Sequence, residues 1–140
     1  MKNNPKDIAR VNSMLTDCVE LKLHDVVCIV GADELRLMIL TDSVGKRQIS
    51  AICDRAVEKE LVFRMHKTDC QGRLPEVLCS LMPGLCRDDY ALYVYDITDG
   101  TYHVHLVNRR TAEETEIRIT DAVLLSMVAN IPLLTSHAFF

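Results

Sequence analysis

In the stretch EIRITDAVLLSM, residues 116–127, a guanidinium side chain, Arg118, precedes a carboxylate, Asp121, by three positions. A carboxylate beside a guanidinium at a strand-to-helix junction could bind a metal or orient water at a phosphodiester. Local structure offers a plainer account of the same residues. Thr120 is expected to cap a helix starting at 121, its hydroxyl accepting an orphan backbone N–H, and Asp121 in the first turn suits the helix dipole. A second constellation is His103-x-His105. Residues two apart on a strand share a face, so two imidazoles there could ligate a metal if a third donor came from elsewhere. A polar strand face backed by Tyr102, Val104 and Leu106 explains them more simply. Asp96 and Asp99 flank a turn, which Asp99 is expected to serve. No nucleophile elbow, phosphate-binding loop or dinucleotide fingerprint occurs; SVGKRQIS holds Gly-Lys without the rest of a phosphate loop.

The elements that must position these groups are legible in outline. In NPKDIARVNSML, Asn4 caps and Pro5 takes the first position of a short helix, with Ile8, Val11 and Leu15 on one face. Alternation in CVELKLHDVVCIVGADELRLMILTD predicts two strands around a turn at Gly31-Ala32-Asp33, and GKRQISAIC a third. Asp54 is expected to cap a helix reaching about His66, with Val57, Leu61 and Met65 on one face. LPEVLCSLMPG predicts a short helix with Pro75 near its start and Pro83-Gly84 ending it. DYALYVYDI and TYHVHLVN form a hairpin around Thr98-Asp99-Gly100, because Asp-Gly between alternating apolar runs favours a tight turn. TEIRIT is a further strand, residues 121–130 a helix, and PLLTSH a last strand. This order predicts an α+β domain: a largely antiparallel or mixed sheet with about three helices packed on it. Residues 1–16 are read as an N-terminal extension and 17–140 as the domain.

Composition bounds the function. The 140 residues carry a net charge of −4, which argues against a strongly basic nucleic-acid coat. Lys46-Arg47, Arg64 with Lys67, and Arg109-Arg110 are small basic clusters, expected to be solvated faces. Six cysteines lack C-x-x-C spacing; free thiols in a reducing cytoplasm are expected, with Cys28, Cys53 and Cys79 as small buried hydrophobes. The opening MKNNPKDIAR lacks the apolar stretch of a secretory signal, and no apolar run nears the roughly 20 residues of a membrane span. A membrane partner is therefore not expected.

YDITDGTYHVHL followed by EIRITDAVLLSMVANIPLL resembles the C-terminal half of the bifunctional nuclease (DNase/RNase) domain. The matching residues are Asp96, Asp99, Gly100, Thr101, Tyr102, Arg118, Thr120 in place of a serine, Asp121, Ala122 and Pro132. Order and spacing agree over roughly 40 residues, and the upstream order of elements extends the resemblance across residues 17–138. Two segments depart from the family pattern. In QISAICDRAVEKE, Ile52 replaces a glycine and Arg55 stands where a glutamate is usual; in LPEVL, Pro75 falls at a histidine and Glu76 at an aspartate. The resemblance implies hydrolysis of DNA and RNA, with Asp121 and Glu76 holding a divalent cation, Mg²⁺ or Mn²⁺, and Arg118 neutralising charge. Catalytic residues would be Asp121, Arg118 and Glu76, and nucleic acid the partner. The alternative is a non-catalytic interaction or regulatory module on the same scaffold, a homodimer or other homo-oligomer.

Overall fold

A computed structural model of the chain describes residues 4–31, 34–66 and 69–140. The elements run α1 (Pro5–Thr16), β1 (Val19–Ile29), β2 (Leu35–Thr41), β3 (Gln48–Cys53), α2 (Arg55–Met65), α3 (Leu74–Leu81), β4 (Tyr90–Thr98), β5 (Thr101–Asn108), β6 (Glu114–Arg118), α4 (Ile119–Ala129) and β7 (Leu133–Thr135), closed by a short 3₁₀ turn. The α+β expectation holds. Among the described residues seven strands form one mixed sheet in the order β3-β2-β1-β7-β4-β5-β6. All neighbours are antiparallel except β4 and β7. Among the described residues there are four α-helices, one more than expected on the sheet, because the N-terminal helix also packs on it.

Local chemistry sets most boundaries. The Asn4 side chain accepts from the Lys6 N–H and Pro5 opens α1. Asp54 accepts from the Val57 N–H at 2.8 Å and starts α2. At the β4–β5 turn Asp99 and Gly100 have φ of 52° and 78°, the left-handed pair that a two-residue hairpin needs and that Asp-Gly supplies at low cost. Asp96 sits at a bulge, its carboxylate accepting from the Ile97 N–H and the Thr98 hydroxyl. The turn expected at Gly31-Ala32-Asp33 falls on residues 32 and 33, and Lys67 of one basic cluster likewise lies outside the described residues.

Strand alternation sorts side chains to two layers. Leu92 and Val94 of β4 and Val104 of β5 face the larger core with Leu21, Met38, Leu40, Leu61 of α2, and Ala122 and Val123 of α4. Ala91, Val107 and Leu134 face the other way, against Val11 and Leu15 of α1. Burying those two α1 side chains contributes about 1.5–3 kcal/mol each. The segment read as an extension is thus the cover of the second sheet face. The sheet also curls: β3 approaches β5. This curl brings the start of α2 toward the end of β6.

Two expectations about burial need correction. Cys28 is exposed, because it lies at the outer end of the β1–β2 hairpin, where Ile29, Val30 and Leu35 also run past the core. Arg64, read as part of a solvated basic cluster, has a side chain only 5% exposed, drawn inward by two carboxylates described below. Cys53 is buried and Cys79 half-buried. Burial pushes both thiols above their ordinary range, as expected for inert packing cysteines.

Candidate functional site at the junction of β6 and α4

The β6 ladder ends on the pair His103–Arg118, and the chain turns directly into α4 at Ile119. Ile119 is drawn into the main core, so the helix begins two residues before the expected start. Arg118 is therefore the N-cap residue, without a side-chain cap bond, and Thr120 lies inside the first turn instead of capping it. Asp121 keeps its expected place in that turn, where helix N–H groups favour a negative charge.

Arg118 and Asp121 meet. The Arg118 Nε donates to Asp121 Oδ2 at 2.8 Å. The Arg118 side chain remains 81% exposed. Asp121 first, and more weakly Asp54, hold the guanidinium protonated beyond its already high range. Arg118 and Thr120 form the ridge between two depressions. One, about 770 Å³, is lined by Ile52, Cys53, Asp54, Val57 and Glu60. The other, about 330 Å³, is lined by Tyr102, His103, Glu116 and Ile117. Three carboxylates, Asp54, Glu60 and Glu116, and the His103 imidazole thus flank the guanidinium.

Glu76 belongs to a different assembly. It lies in the first turn of α3 and turns toward α2, where Arg64 Nη2 donates to its Oε1 at 3.0 Å and Nη1 to its Oε2. Arg64 also reaches Glu60 at 3.2 Å, and Glu60 accepts from Arg73 at 2.6 Å. Arg73 in turn stacks over the Phe63 ring, 4.2 Å from its centroid. The chain of charges Arg73–Glu60–Arg64–Glu76 ties α3 to α2. Arg64 holds the Glu76 carboxyl below the usual carboxylate range.

The histidine pair stands on one face of β5, as its spacing implies. His105 stacks on Tyr95 at 4.1 Å, and its Nε2 is 3.0 Å from Glu116. Glu116 also accepts from the Tyr95 hydroxyl and lies 3.8 Å from His103 Nδ1. The position of His103 beside Arg118 was not read from sequence. Its signal is register: as the ladder partner of Arg118 it shares that residue's face, and such pairs place Cβ atoms roughly 5 Å apart.

The donor set does not fit a resident Mg²⁺ or Mn²⁺ shared by Asp121 and Glu76. Each carboxylate is held by its own guanidinium, Arg118 and Arg64 respectively. Among the described residues no group of three or more His, Cys, Asp or Glu is arranged to hold a metal ion. No described helix is long and apolar enough to cross a membrane. No protein-family model matches the chain, and no curated protein shows significant similarity to it.

Proposed function

We propose that this chain is a divergent domain of the bifunctional nuclease type, acting on the phosphodiester backbone of DNA or RNA at the junction of β6 and α4. One observation carries the reading. Arg118, held by Asp121 and exposed along its outer edge, stands between a depression bearing Asp54 and Glu60 and one bearing His103. A guanidinium so placed suits a phosphate, whose oxygens accept its forked N–H groups. Asp121 acts by orienting that fork. His103 supplies the acid–base group whose usual place in the family pattern is taken by Pro75, and general acid–base help contributes about 10²–10⁴-fold. The acidic groups around the ridge favour a single contacted phosphate over a long basic track, in keeping with the net charge of −4.

The test is cleavage of single-stranded DNA and RNA by purified protein, with and without added Mg²⁺ or Mn²⁺, for wild type, Arg118→Ala, His103→Ala and Asp121→Ala. Losses of about 100-fold or more in Arg118→Ala and His103→Ala, at unchanged thermal stability, support the proposal. Equal activity in all four marks a contaminant and overturns it.

The pairing of Glu76 with Arg64 favours a second reading. A position that is polar and functional in the family pattern serves here to join two helices. On that reading the scaffold is a non-catalytic, self-associating interaction module, and wild-type protein fails to cleave either substrate under all conditions.

A further inference from the structure

Helix α3 is amphipathic, yet it is packed inside out. Leu74, Val77, Leu78, Leu81 and Met82 follow the i, i+3, i+4, i+7, i+8 spacing of a core-facing stripe. All five are exposed, between 39 and 79%, and no residue of α3 is buried. The face turned toward the protein carries Glu76, bonded to Arg64, and Cys79, packed against the main core. The Arg64–Glu76 pair therefore does more than join two helices: it fixes the rotation of α3 and directs the apolar stripe at solvent.

We infer that this stripe is the contact between two copies of the chain, packed antiparallel about a two-fold axis that passes between Val77 and Leu78. The inference deepens the self-association of the second reading and is independent of cleavage. Spacing argues for a second copy. Leu74 and Leu81 are equidistant from the point between residues 77 and 78, and Val77 and Leu78 straddle it. A two-fold axis there sets Leu74 against Leu81 of the other copy and Val77 against Leu78, the self-complementarity that an isologous interface requires. Area agrees. The five side chains expose roughly 500 Å², at the upper end of apolar patches found on monomers. Two copies together remove about 1,000 Å² from water before any flanking contact is counted, which reaches the lower bound of a specific interface.

Sedimentation equilibrium of the full chain tests this directly. Wild type is expected to be a dimer, with Leu74→Glu and Leu81→Glu each weakening association about 30-fold or more. Val44→Glu, an exposed apolar position elsewhere, is expected to leave it unchanged. Both stripe substitutions point outward, so far-ultraviolet circular dichroism stays at the wild-type value, and the thermal midpoint matches wild type at concentrations where both are dissociated. A wild type that is monomeric up to roughly 300 µM overturns the inference. So does a dimer that survives both glutamates, which would locate the contact on another surface such as the Ile29, Leu35 and Ile52 side of the sheet.

Discussion

Replacing Glu76 by glutamine separates a carboxylate that does chemistry from one that holds the fold. The Arg64 side chain is 5% exposed, and its Nε has no hydrogen-bond partner among the described residues. Its stability in the folded state therefore rests on Glu76 and Glu60. Removing one partner of a buried ion pair costs about 3–5 kcal/mol. Two features reduce that here: Glu76 is 27% exposed, and Glu60 stays 3.2 Å from Arg64. The expected loss for Glu76→Gln is about 2–3 kcal/mol, or roughly 6–10 °C in Tm at this chain length. Urea and thermal denaturation measure it. Asp121→Asn, which breaks an exposed pair, should shift Tm by about 1 °C or less.

The pH dependence carries a defined sign. Arg64 lowers the folded-state pKa of Glu76, so its contribution is fully present above the unfolded carboxylate value of about 4.3 and is lost as pH falls through the lower folded value. The gap between wild type and Glu76→Gln should be constant near neutrality and close only in acid. The double variant Arg64→Met with Glu76→Leu should recover much of the stability, since an apolar pair needs no desolvated charge. A Glu76→Gln protein with wild-type Tm and no cleavage would refute this reasoning and return Glu76 to the catalytic set.

Three further outcomes are expected. Asp54→Ala removes the α2 cap and should cost about 1 kcal/mol in denaturant titration, so any effect on cleavage must be read against that loss. Gly100→Ala places a side chain at φ 78° and should destabilise by about 1 kcal/mol or more. Thr135 is fully buried and its hydroxyl has no partner among the described residues. Thr135→Val should therefore raise stability by up to about 1 kcal/mol, read as an increase in Tm.

What the sequence announced were features closed by neighbours along the chain. Asn4-Pro5, Asp54 and Asp99-Gly100 each act through backbone groups within three residues, and each does what its type implies. The pairing of Arg118 with Asp121 was legible for the same reason, being three residues apart. The bond between Arg64 and Glu76 spans twelve residues and two helices, and nothing local points to it. The helix α3 was legible from Pro75 and Pro83-Gly84, but nothing in those end signals gives the direction its apolar face takes. Thr120 was misread as a cap because the pull of Ile119 into the core, which starts the helix early, depends on tertiary packing. The register that brings His103 opposite Arg118 is likewise a property of strand pairing.

The position of β7 bears on the order of assembly. This strand is three residues long, yet among the described residues it alone pairs with both β1 and β4. Before it is in place, β1–β3 and β4–β6 are two antiparallel meanders, each closed by turns within its own stretch of chain. They have no ladder in common. Local meanders form quickly, and a join that waits on distant sequence forms late. Leu133–Thr135 follows both halves along the chain, and in place it covers the edges of β1 and β4 that would otherwise be open to pairing with other chains. A chain cut after Asn130 would keep six of its seven strands and lose the one that makes them a single sheet.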